Sequence, residues 1–180
     1  TGSGKVQLAR HLDEYGFAYI EGGYPASNRK DMEFFSALRR RPLKHARLVA
    51  FGSTRRVHAR AAGDESLCHL LDARTPAVAI VGKSWNLHVA EVLRPSAAEN
   101  QAMIADTVRF LKQKGKEVFF DAEHFFDGFR ADPAFAMQTL FAAREAGADA
   151  LVLCDTNGGS LPHQLYEITT AVVKELKIPV

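Results

Sequence analysis

Residues 117–154 read EVFFDAEHFFDGFRADPAFAMQTLFAAREAGADALVLC, and this stretch decides the fold class of the chain. Its two ends, Glu117 to Phe120 and Ala150 to Cys154, are short apolar runs of the kind that form buried strands. Between them, Pro133 to Ala146 has amphipathic helical spacing, with its proline in the first turn and Gly147 at the exit. The stretch therefore predicts a β-α-β unit with two parallel strands.

The same alternation of strand and helix patterns extends through the rest of the chain. Successive predicted strands begin about 30 to 40 residues apart, which is the length of a βα unit. The further strands are Phe17 to Ile20, Ala46 to Phe51 and Ala77 to Val81, with another beginning at Ile178. The further helices are Val6 to Tyr15, Lys30 to Arg40, Ala97 to Lys114 and Pro162 to Leu176, with a weaker one at Glu65 to Ala73. Strict alternation predicts an α/β fold with a parallel sheet.

Periodicity alone leaves two architectures open. A parallel barrel and a doubly wound open sheet both gather polar residues at the carboxyl ends of their strands. About six strands cannot close the eight-stranded ring of a (β/α)8 barrel. The chain is therefore either an open sheet or an incomplete barrel.

The composition favours small-molecule chemistry. Lys and Arg total 23 against 21 Asp and Glu, and a net charge of +2 gives no case for nucleic acid as a partner. Apolar runs are too short to span a bilayer, so we expect a soluble, cytoplasmic protein with no membrane partner. Cys68 and Cys154 fit no metal-ligand spacing, and we interpret both as buried thiols in a reducing compartment.

Polar or reactive residues follow each predicted strand, among them Glu21 after the first and Lys83 after the third. Asp121 and Glu123 are two residues apart, so their side chains point the same way if the extended geometry continues. Such a carboxylate pair suits acid-base or metal chemistry. The alternative is a pair of hydrogen-bonded carboxylates on a solvated loop.

Two further groups of polar residues are candidates for the same rim. Lys83 could meet an anionic substrate and His88 could transfer protons, although lone lysines and histidines are more often surface or structural residues. Asp155 to Gly159 combines an anion, a hydroxyl, an amide and two glycines that let backbone approach a ligand closely. The alternative for this segment is an Asx turn that leads into the next helix.

Three basic or glycine-rich patterns are not interpreted as functional sites. Thr1 to Lys5 resembles the end of a phosphate-binding loop, but Val6 stands where Ser or Thr should bind magnesium, so we predict a plain helix start. Arg39 to Arg41 and the Arg55-Arg56 pair are predicted to be solvated charge, with binding of a nucleotide-bearing cofactor as the alternative.

Five segments together resemble the citramalate synthases, in order and across nearly all 180 residues. They are Glu21 to Pro25 (EGGYP), Phe51 to Arg56 (FGSTRR), Gly82 to His88 (GKSWNLH), Asp121 to Gly128 (DAEHFFDG) and Leu153 to Gly159 (LCDTNGG). Those enzymes belong with isopropylmalate and homocitrate synthases and hydroxymethylglutaryl-CoA lyases, a superfamily of barrels that act beside a divalent metal. The resemblance implies that residues 1–180 are an incomplete catalytic domain, a partial (β/α)8 TIM barrel containing about strands 2 to 6.

The resemblance also implies an acyltransferase that condenses acetyl-CoA with pyruvate to give citramalate, within isoleucine biosynthesis. A divalent metal, Mg, Mn or Zn, would polarise the ketone while a base removes a methyl proton from the thioester. The residues implied as catalytic are Glu123, Thr156 and His88. Those implied as substrate-binding are Thr156, Glu21, Lys83, Asp121 and Asn157. We assign none of them as the base.

Some parts of the family pattern differ or lie elsewhere. Asn86 stands where the family pattern has aspartate, so a charge role at that position is in doubt. The family's metal ligands, an Asp-Gly-x-Gln type motif and a His-x-His pair, are expected outside these 180 residues. We therefore predict that the chain by itself is inactive and marginally stable. We expect the complete protein to be a homodimer.

Two other functions remain as alternatives. A carbon-carbon lyase or aldolase of the same superfamily would share the rim and differ in how it handles the acyl group. A noncatalytic remnant or interaction domain would be compatible with missing metal ligands, although the density of polar residues at the strand ends argues against it.

Overall fold

A computed structural model describes residues 2–27, 29–93 and 96–180, and it confirms an α/β fold built on a parallel sheet. All neighbouring strands pair in parallel and follow chain order across the sheet. The sheet curves into part of a barrel, with helices packed on its outer face. The five strands are β1 (Tyr19–Glu21), β2 (Arg47–Ser53), β3 (Ala77–Lys83), β4 (Glu117–Glu123) and β5 (Ala150–Leu153).

The helices lie between the strands, as the alternation predicts. The short helix at Asn86–His88 continues into a π-helical turn at Val89–Leu93, and a 3-10 turn at Ala61–Gly63 precedes the helix at Glu65–Asp72. The described α-helices are α1 (Gly2–Glu14), α2 (Arg29–Arg40), α3 (Glu65–Asp72), α4 (Asn86–His88), α5 (Ala97–Gln113), α6 (Phe125–Ala131), α7 (Pro133–Glu145) and α8 (Pro162–Leu176).

The strands have two unlike faces because successive side chains of a strand point in opposite directions. On the helix side, Val78, Ile80 and Phe120 are fully buried and belong to the main core. On the other side, Ala77 and Ala79 form a smaller cluster with Val49, Phe51 and Phe119. This second face is the one a closed barrel would enclose, and we call it the inner face.

Several elements differ from the predictions in their bounds, and some were not predicted. The first strand begins at Tyr19, and Phe17 is 52% exposed. No strand is assigned at Ile178 in the described part of the chain, although the Leu151 amide donates to the Pro179 carbonyl at 3.0 Å. Helix α6 was not predicted, because its seven residues are too few to show helical periodicity.

The helix start predicted at Thr1 to Lys5 is present in the residues that the structure describes there. Gly2 to Lys5 form about the first turn of α1, and Thr1 lies outside the described residues. The Lys5 ammonium contacts the Asp31 carboxylate at 2.7 Å, so this lysine joins α1 to α2.

The described helices lack the combination of length and apolar character that a membrane span requires.

Candidate active site at the carboxyl rim

The carboxyl ends of β3 and β4 place a cation beside an anion on the inner face. Lys83 and Glu123 are register partners, and the Lys83 ammonium donates a hydrogen bond to the Glu123 carboxylate. Both side chains remain about one quarter exposed, at 26% and 25%. Strand geometry continues as far as Glu123, so Asp121 and Glu123 do face the same side. The rim therefore offers a charged pair that a polar ligand can still reach.

Asp121 also lies near another carboxylate of the inner face, that of Glu21. Burial, and to a smaller extent the nearby charge of Glu21, together raise the pKa of Asp121 to about 6. Burial also raises the pKa of Glu21 above its usual value. Both side chains line one cavity of about 390 Å³. Asp121 can therefore hold or release a proton close to neutral pH, which an ordinary aspartate does not do.

Two imidazoles meet beside Glu123. The rings of His88, in α4, and His124, just after β4, lie edge to face with centroids 4.4 Å apart. Trp85 packs against both, at 4.8 Å from His88 and 5.9 Å from His124. One potential ligand atom each of His88, Glu123 and His124 lies within 4.8 Å of the others. Burial, the His124 ring and the Lys83 charge lower the pKa of His88, which favours its neutral form.

The loop after β5 reaches the same place. The His124 backbone amide donates to the Thr156 hydroxyl oxygen at 2.9 Å, and the Asn157 side-chain amide donates to Asp127 at 3.0 Å. Asp155 accepts from the backbone amide and the hydroxyl of Ser160, five residues along the chain, so its side chain closes a turn that is longer than the predicted Asx turn. The turn is therefore what holds Thr156 and Asn157, both exposed, at the rim.

A cavity of about 460 Å³ opens next to the Lys83 and Glu123 pair. Its wall includes the hydroxyls of Ser53 and Thr54 after β2 and the Arg56 side chain, which is 68% exposed. Ser53 also contacts the Tyr24 hydroxyl at 3.2 Å. The rest of the wall is largely apolar and includes Val57, Val81 and Met103, and a mainly apolar pocket with a few hydroxyl and cationic groups suits a small organic anion.

The structure thus brings Lys83, His88, Glu123 and Thr156 into one neighbourhood, and puts Glu21 and Asp121 below them on the same face. Sequence reasoning missed His124 as a site residue. The signal available for it was its place directly after a strand, beside Glu123.

Asn86 serves as a local anchor where the family pattern has aspartate. Its side-chain oxygen accepts a hydrogen bond from the Leu87 backbone amide at 2.8 Å, and its side-chain NH₂ group donates to the Asp132 carboxylate at 3.4 Å. Both contacts fix the start of α4, which carries His88.

Two predictions about charged or reactive residues are wrong. Arg55 is only 4% exposed and pairs with Glu99 and Asp106, each at 2.8 Å, so it is a buried structural ion and not solvated charge. Cys68 is exposed and Cys154 is half-buried, because neither lies on the face that packs between sheet and helices. Arg39 to Arg41 are exposed, as predicted.

Comparison with known proteins agrees with the resemblance seen in the motifs. The HMGL-like family model matches residues 1–180. A curated (R)-citramalate synthase of Synechocystis is 52% identical over 96% of the chain, and one of Aquifex aeolicus is 50% identical over 96%. A 2-isopropylmalate synthase of Listeria innocua is 30% identical over 96%. The chain spans about a third of the length of these relatives.

Solved structures show the same fold at much lower identity. A hydroxymethylglutaryl-CoA lyase of Bacillus subtilis superposes with a TM-score of 0.76 at 14% identity, over 97% of this chain and 58% of that one. The lyase of Brucella melitensis gives 0.74 at 15% identity, over 97% of this chain and 61% of that one. The architecture is therefore that of the lyase barrels, in part.

Proposed function

Because the chain belongs to the HMGL-like family, we propose that it forms one wall of an active site that condenses acetyl-CoA with pyruvate. The products are citramalate and free CoA. The observation that carries the proposal is the grouping of Lys83, Glu123 and Thr156 at one rim, in a sequence 47–52% identical to curated (R)-citramalate synthases. The activity is proposed for the whole polypeptide that contains this chain.

The proposed reaction needs three chemical events. A base removes a proton from the acetyl methyl group, and the resulting carbanion attacks the ketone carbon of pyruvate to form a carbon-carbon bond. Protonation of the ketone oxygen gives the tertiary alcohol. Water then hydrolyses the thioester, so that CoA leaves as a thiol and a carboxylate remains.

Thr156 is suited to bind the oxo acid. Its oxygen already accepts a hydrogen bond from the His124 amide, so its own hydrogen is available for donation to a substrate oxygen. Asn157 belongs to the same loop and ties it to α6 through Asp127. A donor held in this way is positioned before the substrate arrives, which lowers the entropy cost of binding.

The charged residues of the rim have complementary roles in the proposal. Lys83 would attract the substrate carboxylate, which competes with Glu123 for the ammonium group. His88 has a lowered pKa and is therefore a neutral imidazole that can accept a proton. Asp121, with a pKa of about 6, can exchange a proton in the same pH range, beside Glu21. We assign no single one of these groups as the base.

The proposal includes a divalent metal, Mg, Mn or Zn, which when bound would polarise the ketone carbonyl as a Lewis acid. The donor set of the rim fits such an ion, since Glu123 presents a carboxylate that is one quarter exposed. We propose that the catalytic metal takes its main ligands from residues outside this chain, with Glu123 lining the rim near it.

We place the reaction in the cytoplasm, in the branched-chain amino-acid synthesis that leads to isoleucine. The complete protein is proposed to act as a homodimer. Neither acetyl-CoA nor pyruvate requires a nucleic-acid or membrane partner.

The test is release of the CoA thiol by the whole polypeptide with acetyl-CoA and a divalent metal. We expect release with pyruvate and far less with 2-oxoisovalerate or 2-oxoglutarate. Release with none of the three acids contradicts the proposal. Chromatographic identification of citramalate separates synthesis from plain thioester hydrolysis.

Two variants at one position test the role of the Thr156 hydroxyl. Thr156→Val keeps the volume and removes the donor, so kcat/KM should fall by about 10- to 100-fold, as expected for a lost hydrogen bond to a charged group. Thr156→Ser keeps the hydroxyl and should stay within about fivefold of the parent. Equal activity of Thr156→Val and the parent would show that the Thr156 hydroxyl does not bind the substrate.

A further inference from the structure

Three metal-binding side chains from two separate segments meet at the rim. His88 is carried by α4, whereas Glu123 ends β4 and His124 follows it directly. One donor atom of each lies within 4.8 Å of the other two. Donors lie roughly 2.0 to 2.2 Å from a bound zinc ion, so side-chain shifts of about an ångström would bring all three onto one ion.

His124 combines a left-handed backbone with a buried ring nitrogen that has no hydrogen-bond partner. Its φ of 54° and ψ of 34° are left-handed, a region that non-glycine residues occupy at an energetic cost. Its Nδ1 atom is buried without a hydrogen-bond partner, and the nearest carboxylate, Asp127, lies at 3.5 Å. A ring nitrogen shielded from water and lacking a partner is a donor that an ion would satisfy.

We infer that His88, Glu123 and His124 form a binding site for one zinc-type divalent ion, and that Lys83 competes with the ion for Glu123. Two imidazole nitrogens and one carboxylate oxygen are the donor set of Zn²⁺ and Co²⁺, whereas Mg²⁺ and Ca²⁺ prefer oxygen alone. The site uses only residues of this chain. It is therefore separate from the metal ligands expected elsewhere, and it shares His88, Glu123 and Lys83 with the proposed condensation site.

The surroundings of the three residues fit this assignment. His88 and His124 are held against Trp85 by ring contacts, which limits the rotation of both imidazoles. Lys83 occupies one Glu123 oxygen through its hydrogen bond. A dication would be repelled by this ammonium at close range. Removing the lysine charge should therefore tighten binding, which ordinary surface binding would not do.

The experiment uses Co²⁺ as the probe and Trp85 fluorescence as the readout, in the whole polypeptide. Trp85 is the single tryptophan of these 180 residues. Its own fluorescence in the whole polypeptide is obtained by subtracting the emission of Trp85→Phe from that of the parent. Because both histidine rings contact this indole, a bound Co²⁺ should quench it in a saturable way. Excess Zn²⁺ should reverse the quenching, and excess Mg²⁺ should not.

Variants decide whether the quenching comes from this site. His88→Gln and His124→Gln should each weaken Co²⁺ binding by about tenfold or more, and Lys83→Met should strengthen it by about the same factor. His163→Gln, at an exposed histidine on α8, is the matched control and should bind as the parent does. Circular dichroism of each variant confirms that it is folded.

Three results would overturn the site. They are the absence of saturable Trp85 quenching in the parent, parent-like affinity in both His88→Gln and His124→Gln, and weaker binding in Lys83→Met. Since the readout is binding and not turnover, failure here leaves the proposed condensation unaffected. Loss of thiol release with intact Co²⁺ binding would count only against the condensation.

Discussion

At the scale of single residues, local environment decides which carboxylates can do chemistry. Asp64 is 1% exposed and its pKa is lowered, because hydrogen bonds from Arg56 and Leu67 outweigh the opposing effect of burial. Asp121 is buried with a second carboxylate nearby and its pKa is raised instead. The first therefore acts as a structural cap of α3, whereas the second can exchange protons.

Asp121→Asn should make the protein more stable at high pH. The folded state binds the Asp121 proton more tightly than the unfolded state, so stability is lost as the pH rises through about 6. The neutral variant does not lose this stability, so above pH 6 its free energy of unfolding should exceed that of the parent by at most about 3 kcal/mol, since one pKa unit corresponds to roughly 1.4 kcal/mol. Urea unfolding at pH 8 should show the gain, and at pH 4 the two proteins should unfold alike.

The control for this comparison is Asp72→Asn, which removes a negative charge at an exposed position. An equal gain from Asp72→Asn would show that overall charge, and not the inner-face environment, stabilises the Asp121 variant. A gain that is the same at pH 4 and pH 8 would also contradict the explanation.

Gly128→Ala should destabilise the chain although it lies within a helix. An added Cβ would lie 2.2 Å from the Ser84 carbonyl oxygen and 2.9 Å from the Trp85 Cα, which are backbone atoms that cannot rotate away. The resulting strain costs about 1 to 3 kcal/mol, which exceeds the helix-propensity gain of up to about 1 kcal/mol. Thermal unfolding measures the balance.

Gly63→Ala provides the comparison, because nothing lies within 4 Å of the added Cβ there. Its melting temperature should stay close to that of the parent. If Gly128→Ala proves as stable as Gly63→Ala, then α6 does not pack as closely against Ser84 and Trp85 as the structure indicates.

At the scale of secondary-structure elements, a buried ion cluster fixes the loop after β2. The Arg55 guanidinium bonds to Glu99 and Asp106 on α5, and the Arg55 amide donates to the Thr107 hydroxyl at 2.9 Å. The loop and the helix are therefore locked together next to the 460 Å³ cavity. The wall of the site consequently depends on an arginine that does not itself have to touch a substrate.

Arg55→Met should lower the free energy of unfolding by about 1.5 to 3 kcal/mol, the range for hydrogen bonds to charged groups. The effect stays within that range because Asp106 is 45% exposed and water can solvate it after the change. Arg109→Met removes an exposed partner of the same Asp106 and should cost less than about 1 kcal/mol. Similar urea midpoints for both variants would show that the cluster is not structural.

At the scale of the whole molecule, the sheet ends without closing. Among the described residues, β1 and β5 each pair with one neighbour only. The inner face is accordingly open to solvent, with Tyr19 at 41% and Val152 at 43% exposure. Unpaired strand edges and an apolar face both favour association or loss of structure.

We therefore predict that the 180-residue chain by itself has near-zero thiol release and a lower melting temperature than the whole polypeptide. It should also elute at a concentration-dependent size in gel filtration. Equal turnover by the two proteins would contradict this prediction. The reason for it is physical, since a half-open rim can neither exclude water nor hold a substrate on all sides.

The sequence by itself determined the alternation of strands and helices, because apolar periodicity and glycine or proline boundaries are local properties. It also indicated that Asp121 and Glu123 share a face, since strand alternation requires it. The motifs, finally, indicated the superfamily.

Only the tertiary structure decided which polar residues meet. That Arg55 is buried depends on α5, some 44 to 51 residues away along the chain, and the contact of His88 with His124 depends on the turn after β3. The left-handed backbone of His124 and its unpartnered nitrogen have no local signature either. Contacts between residues far apart in sequence follow from packing, which periodicity does not encode.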